Sequence, residues 1–233
     1  KPWQRSTWNG LSPTEKRQPP PEFRYPAGRF PEHHAKEILR TYGIDTPRFM
    51  WAETADQAIQ FAHRLGYPVV AKVISTDIYC KSDREGVETW IDDDEALRQA
   101  FRRFRKMSAF TGILVEERLG RGLELNVGVT KIDFQNGPAV FLERPHLFKD
   151  GRGNRTFRLP ASENWNVPAM LKELDVLPYD RDSGSAECVN VPELERLTAR
   201  AADLVRDPVA GMEALILDPV RCVGDRCVVL DAR

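Results

Sequence analysis

The 233-residue sequence has no apolar run approaching the roughly 20 residues that a membrane-crossing helix needs, and Lys1-Pro2-Trp3-Gln4-Arg5 does not read as the opening of a signal peptide. Cysteine is scarce. Four in the whole chain give no disulfide framework, which points to free thiols in a reducing, cytoplasmic setting. An excess of either charge is missing too: 34 Lys and Arg stand against 35 Asp and Glu, for a net charge of −1. That balance excludes a global basic field of the kind that draws nucleic acid or an anionic membrane. Histidine is sparse, and His33, His34 and His63 lie on helical patterns beside apolar positions, where surface or structural roles are expected rather than metal ligation. What the chain does have is length enough to bury a sizeable core, in one large domain or two small lobes.

Residues 1–28 are rich in Pro, Arg, Gln and Ser, include the run Pro19-Pro20-Pro21, and scatter Trp3, Trp8, Phe23 and Tyr25 among them. Such a composition fills no core of its own and reads as an extended arm, laid on a partner or on its own domain, or else as a tail. From Pro31 the pattern becomes globular. Ala35, Ile38, Leu39 and Tyr42 share a helical face that ends at Gly43. Residues 48–52 read as a short strand. Thr54 then caps a helix whose inward stripe is Ala55, Ala58, Ile59, Ala62 and Leu65. Asp92-Asp93-Asp94-Glu95 open a further helix with Leu97, Ala100, Phe101, Phe104 and Met107 inward, and carboxylates at a helix start serve the cap and the dipole better than a cation. Its other face carries Arg98, Arg102, Arg103, Arg105 and Lys106, a solvated face unless a partner or phosphate-bearing ligand uses it. Residues 112–117 and 122–130 read as two strands, 139–142 as another, 161–190 as a largely irregular surface loop, 193–205 as an amphipathic helix, and 213–220 as a strand. Cys222 and Cys227 flank a hairpin turn, close enough for a cross-strand contact but without the further ligands that zinc requires.

The most informative stretch is G-Y-P-V-V-A-K-V-I-S-T-D-I-Y-C-K-S-D-R-E-G-V, residues 66–87. Residues 68–74 are apolar and β-branched, as in a buried strand, and Lys72 sits inside it. A buried ammonium must snorkel to water or meet an anion, of which phosphate is a common form. Lys81, Ser82 and Arg84 follow in a small, polar loop. On residue types alone this is also a plain β-hairpin with one lysine and a solvated basic turn, and it is not a P-loop.

The ordered residues of this stretch resemble the ATP-grasp domain of the NDP-forming acyl-CoA synthetases, the β part of ADP-forming acetate–CoA ligases. The segment A-K-E-I-L-R-T-Y-G-I-D-T-P, the turn Asn136-Gly137-Pro138, the strand residues 213–220 and the closing V-V-L-D-A-R extend the likeness over most of residues 31–233. The resemblance implies an α+β ATP-grasp fold: an arm at 1–28, an N-terminal lobe at 29–112 and a C-terminal lobe at 113–233, with a nucleotide cleft between lobes. It implies ATP or ADP and magnesium as ligands, with Lys72, Lys81, Val115, Glu116, Glu117 and Glu124 toward the nucleotide and Asp150 and Asp218 toward the metal. A separate CoA-binding subunit is implied as partner.

The departures fall on phosphate chemistry. Cys80 stands where the family has the histidine that carries phosphate, Thr76 replaces Pro, and Glu85 replaces the first Gly of a pair. Glu143-Arg144-Pro145-His146 replaces a glycine-rich turn, Asn154 replaces an acid, and Ile216 stands where Asp is expected. Phosphoryl relay needs an imidazole nucleophile and magnesium needs hard oxygen ligands. Three readings follow: a catalytically impaired subunit acting as scaffold or regulator of an acyl-CoA-handling complex; an active ADP-forming acid–CoA ligase β subunit, with Asp77, Lys81, Asp83 and Asp218 as remaining polar candidates; and a module that senses ATP or ADP without turnover.

Overall fold

The computed structural model describes residues 31–75, 86–133, 137–145, 154–160, 165–178, 188–208 and 210–233. Along the chain run α1 (Glu32–Thr41), β1 (Phe49–Ala52), α2 (Ala55–Leu65), β2 (Val69–Ser75), β3 (Val87–Ile91), α3 (Asp94–Phe104), β4 (Phe110–Glu117), β5 (Leu123–Asp133), β6 (Gly137–Arg144), β7 (Asn154–Arg158), α4 (Val167–Glu173), β8 (Leu177–Pro178), β9 (Cys188–Val189), α5 (Val191–Arg206), β10 (Ala214–Val223) and β11 (Arg226–Val229). They form two units, the smaller holding residues 31–35 and 47–120, the larger 36–46 and 121–233. Among the described residues no helix is long and apolar enough to cross a membrane. The N-terminal arm lies outside the described residues.

The smaller unit is an antiparallel sheet of order β1-β4-β2-β3. Val69, Ala71 and Val73 of β2, Ile113 and Val115 of β4 and Ile91 of β3 turn to one face, where α2 supplies Ala58, Ile59 and Ala62 and α3 supplies Leu97, Ala100, Phe101 and Phe104. Period-two strands against period-3.6 helices produce this single dry layer. The helices start where the sequence expects. Thr54 and Gln57 form a reciprocal capping box at α2, and Asp93 accepts the Ala96 N–H at 2.7 Å to begin α3. The carboxylate run is thus a helix start. Asp94, inside the first turn of α3, ties the helices together by meeting His63 Nε2 at 2.7 Å and accepting the Tyr67 hydroxyl at 2.9 Å. Those bonds, His63's first, hold the Asp94 carboxyl below its ordinary range, while burial and then Asp94 push the Tyr67 hydroxyl up. An expected lobe boundary at 112/113 falls inside β4, which pairs with β2 from Phe110 to Glu117; the units part between Gly120 and Arg121 instead.

The larger unit is a five-stranded antiparallel sheet of order β11-β10-β5-β6-β7. Leu125, Val127, Val129, Val140, Leu142, Leu215, Leu217 and Val220 are buried beside Leu194, Leu197, Ala201 and Val205 of α5. The end of α1 and the turn after it belong here: Ile38, Leu39, Tyr42 and Ile44 are buried, Gly43 takes φ of 70° to close the helix, and the Tyr42 hydroxyl donates to Asp207 at 2.6 Å. The Asp45 carbonyl accepts from Val229 N–H at 2.9 Å, and the Asp45 carboxylate accepts from Arg226 at 2.8 and 3.0 Å.

A second expectation is corrected in the larger unit. Residues 161–190 are not a plain loop, since α4 lies within them with Val167, Met170, Leu171 and Leu174 buried. Their spacing of three, four and seven is helical, Asn166 caps the start by accepting the Ala169 N–H at 2.9 Å, and Pro168 sits in the first turn, where its missing N–H costs nothing. The Cys222–Cys227 expectation holds: they are cross-strand partners with Sγ atoms 3.4 Å apart, both buried and free. The Cys227 thiol is pushed far up, first by its hydrogen bond with Cys222 and then by burial.

Candidate functional site

In the smaller unit the site residues gather around Lys72. Register places Trp51, Leu114, Lys72 and Val87 in one row across all four strands, on the face turned away from α2 and α3. The first turn of α1 covers this row. His33 stacks on Trp51 with ring centroids 5.3 Å apart and planes 7° from parallel, so it is a packing histidine. Glu32 accepts from Lys72 Nζ at 2.7 Å, and Glu116 Oε2 lies 3.1 Å from the same nitrogen, with the three side chains 10%, 3% and 3% exposed. The anion that a buried strand lysine demands is met from within the chain. Such a cluster is costly to desolvate and holds only because charges and hydrogen bonds are matched.

The neighbouring candidates are Val115, Glu116 and Glu117 of β4. Val115 points into the core. β4 lies between β1 and β2, with Val115 opposite both Met50 and Ala71 and Glu116 opposite both Phe49 and Val70, so the backbone of these two residues lies inside the sheet. The Glu117 carboxylate accepts from the Arg48 backbone N–H at 2.9 Å and from Arg48 Nε at 2.6 Å. Glu32 was not legible as a site residue; it lies 40 positions from Lys72 and carries no local signal.

In the larger unit the relevant residues share the sheet face turned away from α5. Ile216 is opposite Gly128, Gly128 opposite Phe141, and Phe141 opposite Phe157, an apolar row across β10, β5, β6 and β7. The Phe141 ring packs on the Gly128 backbone, where a Cβ would meet it at 1.8 Å. Beside it runs a polar row of Asn126, Glu143 and Arg155. Glu143 and Arg144 continue β6 rather than forming a turn, and Glu143 is bound by Arg155, whose guanidinium also lies 4.5 Å over Phe141. Glu124 is bound by Arg221 at 2.5 and 3.0 Å, and Asp218 by Arg233 at 2.6 Å.

Magnesium prefers near-octahedral hard oxygen ligands with at least one carboxylate to hold it. The three carboxylates named here are each bonded to an arginine, Ile216 brings no oxygen, and no group of three His, Cys, Asp or Glu comes together among the described residues. The described residues do not fit a magnesium centre. Cys80, Lys81, Asp77, Asp83, Glu85 and Asp150 lie outside the described residues, as does the side chain of Asn154.

A family model described as the ATP-grasp domain matches residues 26–233. The chain belongs to this family. The two sheets with their helices are thus an ATP-grasp fold. Among characterised proteins it is 29% identical to the β subunit of acetate–CoA ligase [ADP-forming] I of Pyrococcus furiosus, covering 87% of this chain and 89% of that subunit. It is 27% identical to 4-hydroxybutyrate–CoA ligase [ADP-forming] of Nitrosopumilus maritimus, matching 87% of this chain but 30% of that longer protein. Among solved structures, the dinucleotide-forming acetyl-coenzyme A synthetase 1 of Ca. Korarchaeum cryptofilum, in complex with coenzyme A and Ca-AMPCP, superposes with a TM-score of 0.74 at 27% identity, over 87% of this chain and 91% of that one.

Proposed function

We propose that this ATP-grasp chain is the nucleotide-handling β-type subunit of an ADP-forming acid–CoA ligase and works with a separate CoA-binding subunit. The observation that carries this reading is the match at subunit scale, with 87% of the chain aligned to 89% of a ligase β subunit. The overall reaction joins a carboxylic acid to the CoA thiol while ATP becomes ADP and phosphate, the carboxylate oxygen leaving with the phosphate. Within this chain, Lys72 is the cation taken for the nucleotide, its ammonium held in place by Glu32 and Glu116, whose hold a phosphate would have to share. ATP supplies the phosphoryl group; the protein contributes position and charge.

The test is co-expression with the CoA-binding subunit of the same organism, followed by measurement of ADP release from ATP and magnesium. Release that depends on both a short-chain acid and CoA is the expected result. A second reading has specific support in Cys80, Asn154 and Ile216, which replace a nucleophile and two acids: a subunit that assembles with its partner and binds nucleotide without turnover. It predicts co-purification and nucleotide binding with no acid-dependent ADP release.

A further inference from the structure

The arrangement of charge on the larger unit's sheet bears on how that nucleotide is held. Arg155 donates to Glu143 through Nε at 3.0 Å and through Nη2, Arg221 donates to one oxygen of Glu124 through Nε and Nη2, and Arg233 donates to Asp218 through Nη2. A guanidinium carries five N–H donors in a planar fork. Each of these arginines therefore keeps its Nη1 donors for a further acceptor while its own carboxylate fixes the plane. A metal ion placed here would have to displace a charge-assisted hydrogen bond for every carboxylate it took, and at the middle of the face it would meet Ile216 and the Phe141 ring.

We propose that this face holds the phosphates of its nucleotide without a divalent cation, the positive charge coming from Arg155 and Arg221, with Arg233 beside them. Arg155 is the best organised of the three. Its guanidinium is held at its edge and on one face: Glu143, its neighbour across the β6–β7 pair, accepts from Nε and Nη2, and Phe141, itself seated on Gly128, lies 4.5 Å beneath it. Asn126, in the same polar row, has a buried Oδ1 with no hydrogen-bond partner among the described residues. The proposal rests on nucleotide binding by this chain and is independent of turnover.

Calorimetric titration of the full chain with ADP, once with EDTA and once with excess magnesium, tests it. The dissociation constants are expected to agree within about twofold, and Arg155→Ala and Arg221→Ala are each expected to weaken binding in EDTA by about tenfold, the value of one charge-assisted bond. Thermal melts establish that both variants, altered at partly exposed positions, remain folded. Binding that strengthens tenfold or more with magnesium, with both arginine variants unchanged, would overturn the proposal and leave the nucleotide reading standing. No ADP binding under either condition would overturn both.

Discussion

At Lys72 a single position carries a conflict between burial and charge that the sequence already exposes, because an ammonium in the run Val69–Ser75 cannot be left without an anion. Which anion answers it was not legible. Glu116 lies on a strand whose pairing with β2 is a tertiary fact, and Glu32 comes from a helix 40 residues away. Lys72→Met removes the shared cation and leaves carboxylates buried beside each other, so a loss of about 3–5 kcal/mol in urea unfolding is expected; a loss under about 1 kcal/mol would mean that the cluster is not a coupled unit. Asp94 gives a second test at this scale. Its carboxyl is held low by His63 and then Tyr67, so its proton binds more weakly in the folded chain than in the unfolded one. The contribution is therefore complete above the ordinary carboxylate pKa of about 4 and is lost as pH falls through the lower folded value. Unfolding measured from pH 6 downward should show a shallower acid decline in Asp94→Asn than in the parent chain, and identical slopes would remove the role assigned to these bonds.

Elements with strong local punctuation were readable in advance. α2 announces itself by Thr54, α3 by Asp93, and α1 by its stripe and Gly43. α4 was not, because seven residues starting with Val167-Pro168 are too few to show a period and lie among turn-forming residues. Its weight is tertiary: Met170 is fully buried, and Met170→Ala is expected to cost about 2–5 kcal/mol by leaving a cavity. A loss confined to a few tenths in chemical denaturation would show that α4 merely rests on the sheet. The β10–β11 hairpin makes a chemical prediction. With Cys222 and Cys227 buried and the Cys227 proton held tightly, neither thiol should react with an aromatic disulfide reagent at pH 8 in a Cys80→Ser, Cys188→Ser background until denaturant is added. Rapid modification of the native variant would contradict the packing of that hairpin.

For the whole molecule, the family could be read from residues 66–87 and the closing strand, whereas the division of labour between the units could not. Composition does not reveal that residues 36–46 fold with the segment beginning at Arg121 rather than with their immediate successors. The backbone therefore passes from one unit to the other three times, near 35/36, 46/47 and 120/121. Only the last passage is a polar connection between strands; the first runs through α1 itself. This interleaving makes the chain a candidate for a split protein. Fragments 1–119 and 120–233, expressed together, should reassemble without a covalent link, because Tyr42 reaches Asp207, Asp45 reaches Arg226 and Val229, and Ile38, Leu39 and Ile44 are buried in a core otherwise built by the second fragment. An affinity tag on the first fragment should retrieve the second, and a pair that elutes separately would sink the idea. The eleven residues Lys36–Thr46 would then act as a built-in complementation tag, carried by the first half and completing the unit built by the second.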